Sequence, residues 1–478
     1  MAIYRNVLLN PSAEGATSSL ENAAAATVTM STFAATGWPA DGTRSYSVAA
    51  TATTNADARS RLVERGGATP GQRWHLRARI YAAPGNAATR RFAAYLQSWT
   101  AAPGATAGTA TTISSSLEFD LPPGTAAEIA ITGVAAAGAL SVGALFRRIG
   151  GVLGSAIGDV FYVDAIALVQ SDEVDPSLSY WNPATNRFGA WTGTANASQS
   201  LLYSPSVALT PYPDANPCPR VEVLVQDCPP GSTITIRRLA ESRSYPVRGA
   251  VQALSAGGVS RIDTEVPFGV PAAYQAEVFI AGASIGFSQT ATITLDIDEI
   301  WVHQPLQPQL AVRVDFDREG SAQGLTRPTE GEVVYTDGAS VGRWVGGRRR
   351  GLRGVKLGLS PQTAADADEI QAMLGTYTED QIPVLCIRTP PGTVRLPRTL
   401  FLSAASPEEE DINIRYGGTL ATIWITGDEV LPPAPGLTTP LLRYQDTDAK
   451  YGSYAAIDAQ YGTYLARDRD YALAGFAG

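Results

Sequence analysis

From Trp74 to Tyr81 the side chains alternate in character. Trp74, Leu76, Ala78 and Ile80 fall on one face, and His75, Arg77, Arg79 and Tyr81 on the other. A period of two with one apolar face predicts a half-buried strand, and Pro70-Gly71 ahead of it supplies a turn. The alternation returns at Val221, Val223 and Val225, at Thr233–Arg237, and at Ala291, Ile293, Leu295 and Ile297. Six more strands are expected at 311–316, 331–335, 354–359, 383–387, 399–404 and 419–425. One segment has helical spacing instead. Ala367, Ile370, Met373 and Leu374 share a face, with Ser360 as N-cap, Pro361 at the first helical position and Gly375 as the stop.

A length of 478 residues predicts roughly three domains of about 150 residues each. The strand groups and breakers place boundaries at 1–172, 173–208, 209–305, 306–435 and 436–478. The second of these is a junction, Tyr180 to Ser200 at its heart, bracketed by Val174-Asp-Pro176 and Tyr203-Ser-Pro-Ser206. The last holds a repeat of period ten: Asp448-Ala-Lys-Tyr-Gly-Ser-Tyr454, Asp458-Ala-Gln-Tyr-Gly-Thr-Tyr464, then Asp468-Arg-Asp-Tyr471. In an ideal helix such a period turns each tyrosine by roughly 80° from the last, so no coiled-coil seam forms. The segment reads as a C-terminal arm whose tyrosines Tyr451, Tyr454, Tyr461 and Tyr464 dock on a neighbouring chain or fold on their own.

Composition narrows the class. Only 17% of residues are charged, against 46 glycines and 32 prolines, which suits short strands and turns rather than long surface helices. The net charge of −9 excludes a general nucleic-acid binder, which needs a basic surface to release counterions. Three cysteines are too few, and odd in number, for a disulfide scaffold. Met1-Ala-Ile-Tyr-Arg-Asn6 has no basic-then-apolar run, so no secretory leader is expected. The uncharged run Ile129–Phe146 is rich in Ala and Gly, so a buried strand or loop is expected rather than a membrane span.

Catalytic chemistry finds little purchase. The two histidines, His75 and His303, stand on or at the end of expected strands, and no Gly-x-Ser-x-Gly, Cys-x-x-Cys or His-Glu-x-x-His occurs. Asp296 and Asp298 share a strand face, the spacing a glycosidase pair needs, and equally that of a solvated face. The sharpest charge feature is Arg343, Arg348, Arg349, Arg350, Arg353 and Lys356, expected at an assembly interface with an acidic neighbour, with an exposed loop or a lumen near DNA as the alternatives.

Two resemblances sharpen these readings. Residues 1–172 resemble carbohydrate-binding-module-like jelly rolls: Asn6-Val-Leu-Leu-Asn-Pro-Ser-Ala-Glu14 opens the segment and Phe161-Tyr-Val-Asp-Ala-Ile-Ala-Leu-Val169 closes it. In that pattern the usual Phe before the glutamate is replaced by Ala13. The resemblance implies two readings of Glu14 and Asp164, as ligands of a structural calcium or as turn acceptors. It also implies that Trp38, Trp74 and Tyr81 stack sugars, where the bland alternative is core packing. The stretch Trp191-Thr-Gly-Thr-Ala-Asn-Ala-Ser-Gln-Ser200 and Val266-Pro-Phe-Gly-Val-Pro271 resemble minor tail proteins of siphovirus-like actinobacteriophages.

The expected fold is mainly β: an N-terminal jelly-roll β-sandwich, a second β-sandwich, a third β-rich domain with one helix, and an extended C-terminal arm. The tail resemblance implies a non-enzymatic virion component at the tail tip, made in the host cytoplasm. Its implied partners are other tail proteins, further copies in three- or six-fold symmetry, and a cell-wall glycan. Its interface residues would be Arg348, Arg349, Arg350 and the arm tyrosines. The alternative is a polysaccharide-binding protein or an accessory module of a glycoside hydrolase.

Overall fold

The computed structural model describes all residues except 1–2, 16–17, 23–26, 36–37, 107, 175–177, 318, 376–379, 412–420, 438–441, 443, 469, 471–472 and 474–478. Tyr471 of the repeat, Asp175 and Pro176 of the junction, and the start of the strand expected at 419–425 therefore lie outside the described residues. The chain is mainly β and forms two compact units, residues 1–204 and 205–478.

The first unit is a jelly-roll sandwich of two antiparallel sheets. One sheet runs Ala126–Val134, Arg73–Ala82, Val160–Gln170, Ile3–Asn6, Ser200–Tyr203, Gly189–Trp191, with Arg44–Ala50 also on Val160–Gln170 and Val28–Ala35 outside it. The other runs Phe119–Leu121, Arg90–Trp99, Ser141–Arg148, Ala56–Ser60, Leu20–Asn22. Trp74, Leu76, Ala78 and Ile80 face inward as their spacing requires, against Phe92, Leu96, Val142, Phe146 and Phe161. Trp74 is only 2% exposed. Gly66 exists because of it: a Cβ there would stand 2.0 Å from the indole. The run Ile129–Phe146 divides between two strands, and no helix among the described residues is long and apolar enough to cross a membrane.

Val160–Gln170 carries a bulge at the centre of this sheet. The register against Arg73–Ala82 slips between Asp164 and Ala167, and Ala165 takes φ 52°. Bulges bend a strand and re-aim its side chains. Before the bulge the strand's other edge pairs with Arg44–Ala50; after it, with Ile3–Asn6. Asn6 bridges the gap, donating to the Ile166 carbonyl at 2.8 Å and accepting from the Leu168 amide at 3.0 Å. Asp164 sits at the corner.

The junction is part of this unit. Gly189–Trp191 and Ser200–Tyr203 form a hairpin that extends the first sheet through Ile3–Asn6. Trp181 and Leu178 pack on Ala167 and Val169, on the sheet's outer face. Asn182 accepts the Ala184 amide and Asn186 the Phe188 amide, two side-chain turns that bring the chain round. Gly15 meets the hairpin tip so closely that a Cβ would lie 2.0 Å from the Asn196 carbonyl oxygen.

The second unit holds two β layers and then a broad sheet. Ser206–Tyr212, Arg220–Gln226 and Gly258–Asp263 form one small sheet; Arg243–Pro246, Thr233–Ala240, Pro271–Ile280 and Ala283–Phe287 run through the other. The broad sheet runs Thr399–Ser403, Val384–Arg388, Ile300–Gln304, Gln307–Phe316, Val355–Pro361, Ala421–Gly427, Glu408–Asp411. Ile300–Gln304, at the end of the 209–305 segment, lies inside this broad sheet. The helix Ala364–Met373 buries Ala367, Ile370 and Met373. Its N-cap is Thr363, in a capping box with Asp366, rather than Ser360, because Ser360 and Pro361 still belong to the preceding strand.

Charge binds the second unit together. Arg238 donates to both oxygens of Asp263 at 2.5 and 2.7 Å, and the Tyr274 hydroxyl donates to the same carboxylate at 2.7 Å. Arg248 holds Glu265 through two nitrogens and also donates to the Pro433 carbonyl. Arg388, from the broad sheet, donates to the Pro219 carbonyl and lies 4.5 Å over the Phe268 ring. All four acid–base partners are buried, a setting where removing one charge strands the other.

The C-terminal repeat is helical: Tyr444–Tyr451, Tyr454–Gln460 and Tyr464–Asp468 are one short helix per repeat, with Ser453 capping the second. Period ten sorts the tyrosines into two sets. Tyr444, Tyr454 and Tyr464 are 70%, 74% and 73% exposed. Tyr451 and Tyr461 turn toward each other, hydroxyls 3.0 Å apart, and Tyr461 donates on to Asp470.

Candidate functional site

The outer face of the first sheet carries His75, Arg77, Arg79 and Tyr81, the polar half of the alternation. His75 is nonetheless fully buried, since its ring lies within 2.8 Å of the Thr132 hydroxyl and 3.2 Å of the Ser171 carbonyl. Burial holds its imidazole below its ordinary pKa, so it stays neutral. Arg77 is pinned by donating to the Leu178 carbonyl at 3.0 Å. Arg79 pairs with Glu128 on the adjacent strand, Nε to Oε1 at 2.9 Å.

Between these groups and the covering segment lies a cleft of about 400 Å³. Arg77, Arg79 and Glu128 form one wall, Ser179 and Tyr180 the other, and Ala130 and Ala165 contribute small side chains. Ala40 closes one end. Beside it three rings stand in a near-parallel row: Trp38 to Tyr81 at 4.5 Å and 18°, Tyr81 to Tyr162 at 5.8 Å and 22°. Tyr81 and Tyr162 are directly opposed across the two strands, which explains their stacking.

The loop 38–44, which carries Trp38 and Ala40, is clasped at two points. Asp164 accepts the amides of Ala40 at 2.7 Å and Asp41 at 3.0 Å through one oxygen, and the Ala165 amide at 2.7 Å through the other. Glu14 accepts the amides of Thr43 and Arg44 and the Thr43 hydroxyl. Asp41 then accepts from the Tyr180 hydroxyl at 2.9 Å and from the Asn182 amide at 2.7 Å, which links the loop to the cleft's far wall. Burial pushes the Asp164 carboxyl up to about 7, against the pull of its three amide donors.

Glu14 and Asp164 thus serve as acceptors for one loop. No group of three or more His, Cys, Asp or Glu side chains suited to a metal stands among the described residues. Trp74, expected with the sugar-stacking aromatics, is enclosed in the core by the sheet's own alternation and presents no ring. Trp38 and Tyr81 are half-buried beside the cleft. Sequence reasoning missed Arg77, Arg79, Glu128 and Tyr180 as a group. The outward alternation named the first two, but Glu128 and Tyr180 join them only through sheet pairing and the return of the junction.

Arg65 lies 3.7 Å over the Trp99 ring, and Arg147 holds Asp57 through two bonds of 2.7 Å beside Tyr95. Elsewhere, Asp296 and Asp298 are exposed, His303 is buried beside Cys386, and all three cysteines are free and buried. Arg348 and Arg349 lie on an exposed strand, Arg343–Arg349, and Arg350 follows it.

No family model matches the chain, and no curated protein matches it. Among solved structures, a family 16 carbohydrate-binding module is 15% identical, with 34% of this chain and 99% of that one covered and a TM-score of 0.23. The CBM22-1 xylan-binding domain from Paenibacillus barcinonensis Xyn10C is 10% identical, with 36% and 97% covered and a TM-score of 0.25. A family 22 module of Clostridium thermocellum Xyn10B is 15% identical, with 35% and 92% covered and a TM-score of 0.23. At such low TM-scores these likenesses carry no argument about this chain.

Proposed function

We propose that the first unit binds a saccharide in the cleft between Arg77, Arg79, Glu128 and Tyr180, and that the chain does so without catalysis. One observation carries this reading: a pre-formed cleft with small side chains within and a paired guanidinium and carboxylate at its rim. Neighbouring hydroxyls of a sugar match that pair, one accepting from Arg79 and one donating to Glu128. Trp38, at the end of the row and propped by Tyr81 behind it, supplies an apolar shoulder for the C–H face of the next residue along a chain. The reading is non-catalytic because Glu128, the carboxylate on the cleft wall, is already paired with Arg79. A glycan array probed with the full chain tests it. Hits are expected that Arg79→Ala and Tyr81→Ala each weaken about 10-fold, the loss of about 1.4 kcal/mol. An array without hits would sink the proposal.

A second reading concerns the whole chain: a structural subunit of a phage tail tip that assembles with copies of itself and presents the first unit to a host cell-wall glycan. Its support is the resemblance of Trp191–Ser200 and Val266–Pro271, and an exposed hairpin in the second unit. Mass spectrometry of purified virions tests it, and absence of the chain from particles counts against it.

A further inference from the structure

The strands Thr329–Val334 and Arg343–Arg349 pair with each other and with nothing else among the described residues. Every residue of both is exposed. A two-stranded ribbon is at best marginally stable alone in water. This one also exposes Val333 at 49%, Val334 at 41%, Trp344 at 56% and Val345 at 57%. Trp344 lies across Gly331 and Gly346, where Cβ atoms would stand 2.5 and 2.8 Å from its indole. The ribbon is therefore shaped and apolar, yet open on both edges.

Its second strand is basic. Arg350 and Arg353, at the hairpin's base, pair with Glu330 at 2.5 and 3.6 Å. Arg343, Arg348 and Arg349 have no ion-pair partner among the described residues, and Arg349 also lines a cleft with Arg327, Arg395 and Arg398.

The same unit carries the opposite feature. Glu408–Asp411 is the last strand of the broad sheet and, among the described residues, pairs only with Ala421–Gly427, so that no described strand occupies its outer edge. Glu408, Glu409 and Glu410 are exposed on it. An open edge is a template for another strand, and like charges on it block pairing with itself. Two acidic edges repel; two basic ribbons repel; only the crossed pairing sets arginines opposite glutamates.

We infer that the free edge of Arg343–Arg349 in one copy adds to the Glu408–Asp411 edge of a second copy, head to tail. This contact deepens the assembly reading, on which it rests. A heterologous contact of this kind closes into a ring or runs on as a filament.

The test uses the full chain and sedimentation velocity. One variant reverses the ribbon (Arg343→Glu, Arg348→Glu, Arg349→Glu); the other reverses the edge (Glu408→Arg, Glu409→Arg, Glu410→Arg). Wild type should self-associate, and each variant should lose association at least about 100-fold through like-charge contact. Mixing the two variants should restore it, because each then offers the other a complementary edge. Circular dichroism and an unchanged melting profile separate lost contact from lost fold. A monomeric wild type, variants that still assemble, or a mixture that stays monomeric would each overturn the inference. Retention of heparin or duplex DNA by the ribbon, with self-association absent, would overturn it in favour of a polyanion. Saccharide binding by the first unit is read separately, so failure of either proposal leaves the other standing.

Discussion

Asp164→Ala removes one acceptor and releases three donors at once. In the native unit the amides of Ala40, Asp41 and Ala165 all point at that carboxylate. A buried donor left without a partner costs about 1–3 kcal/mol, and amides of a surface loop recover part of this from water. We expect a net loss of about 3 kcal/mol for the first unit at pH 5. The pH dependence fixes the sign. Burial raises the carboxyl from 3.8 to about 7, so the folded state holds its proton more tightly than the unfolded chain does. The stability from this group is complete below its unfolded pKa and is lost as pH rises to about 7, an interval worth about 4 kcal/mol. The variant lacks that slope. The gap between wild type and variant should therefore narrow by about 2–3 kcal/mol from pH 5 to pH 8. Glu64, also raised by burial, titrates in both proteins and cancels in the difference. Urea unfolding across this pH range measures the gap, and hydrogen exchange at Ala40 and Asp41 reports the loop directly. Each kcal/mol of lost local stability speeds exchange about fivefold. Unchanged exchange at both amides, or a gap that widens with pH, would show that Asp164 does not hold the loop in this way.

Two further outcomes follow from the packing. Arg238→Ala strands Asp263 in the interior and should destabilise the second unit by about 3–5 kcal/mol in chemical denaturation, while Arg238→Met with Asp263→Leu should recover much of the loss. Gly66→Ala forces a methyl into the Trp74 ring and should cost about 1–3 kcal/mol in the first unit's melt, with a shift in tryptophan fluorescence.

Local pattern carried the strands well. Trp74 to Tyr81 and Val221 to Val225 needed only their period, because alternation fixes which side chains share the apolar face. The helix was visible but started late: Thr363-Ala-Ala-Asp366 is the capping signature, and it outweighed Ser360-Pro361, which finishes a strand. The Arg343–Arg349 strand was obscured by glycines and charge, although Trp344-Val345 was the signal within it. What spacing could not give was anything made by chain return. His75 reads as solvent-facing until the Thr132 hydroxyl and the Ser171 carbonyl meet its ring. Glu14 and Asp164, 150 positions apart, share a task only because both clasp loop 38–44. The cleft joins residues from five separate segments, so no stretch of sequence contains it.

Chemical-shift mapping is the sharpest probe of saccharide binding at the outer face of the first sheet. A saccharide selected on the array is titrated into isotope-labelled full chain. Shifts should concentrate at Arg79, Glu128, Ala130, Ala165, Ser179 and Tyr180, saturating together with one affinity. Shifts confined to the Tyr95–Trp99 face of the second sheet, or none at any concentration, would contradict binding in this cleft.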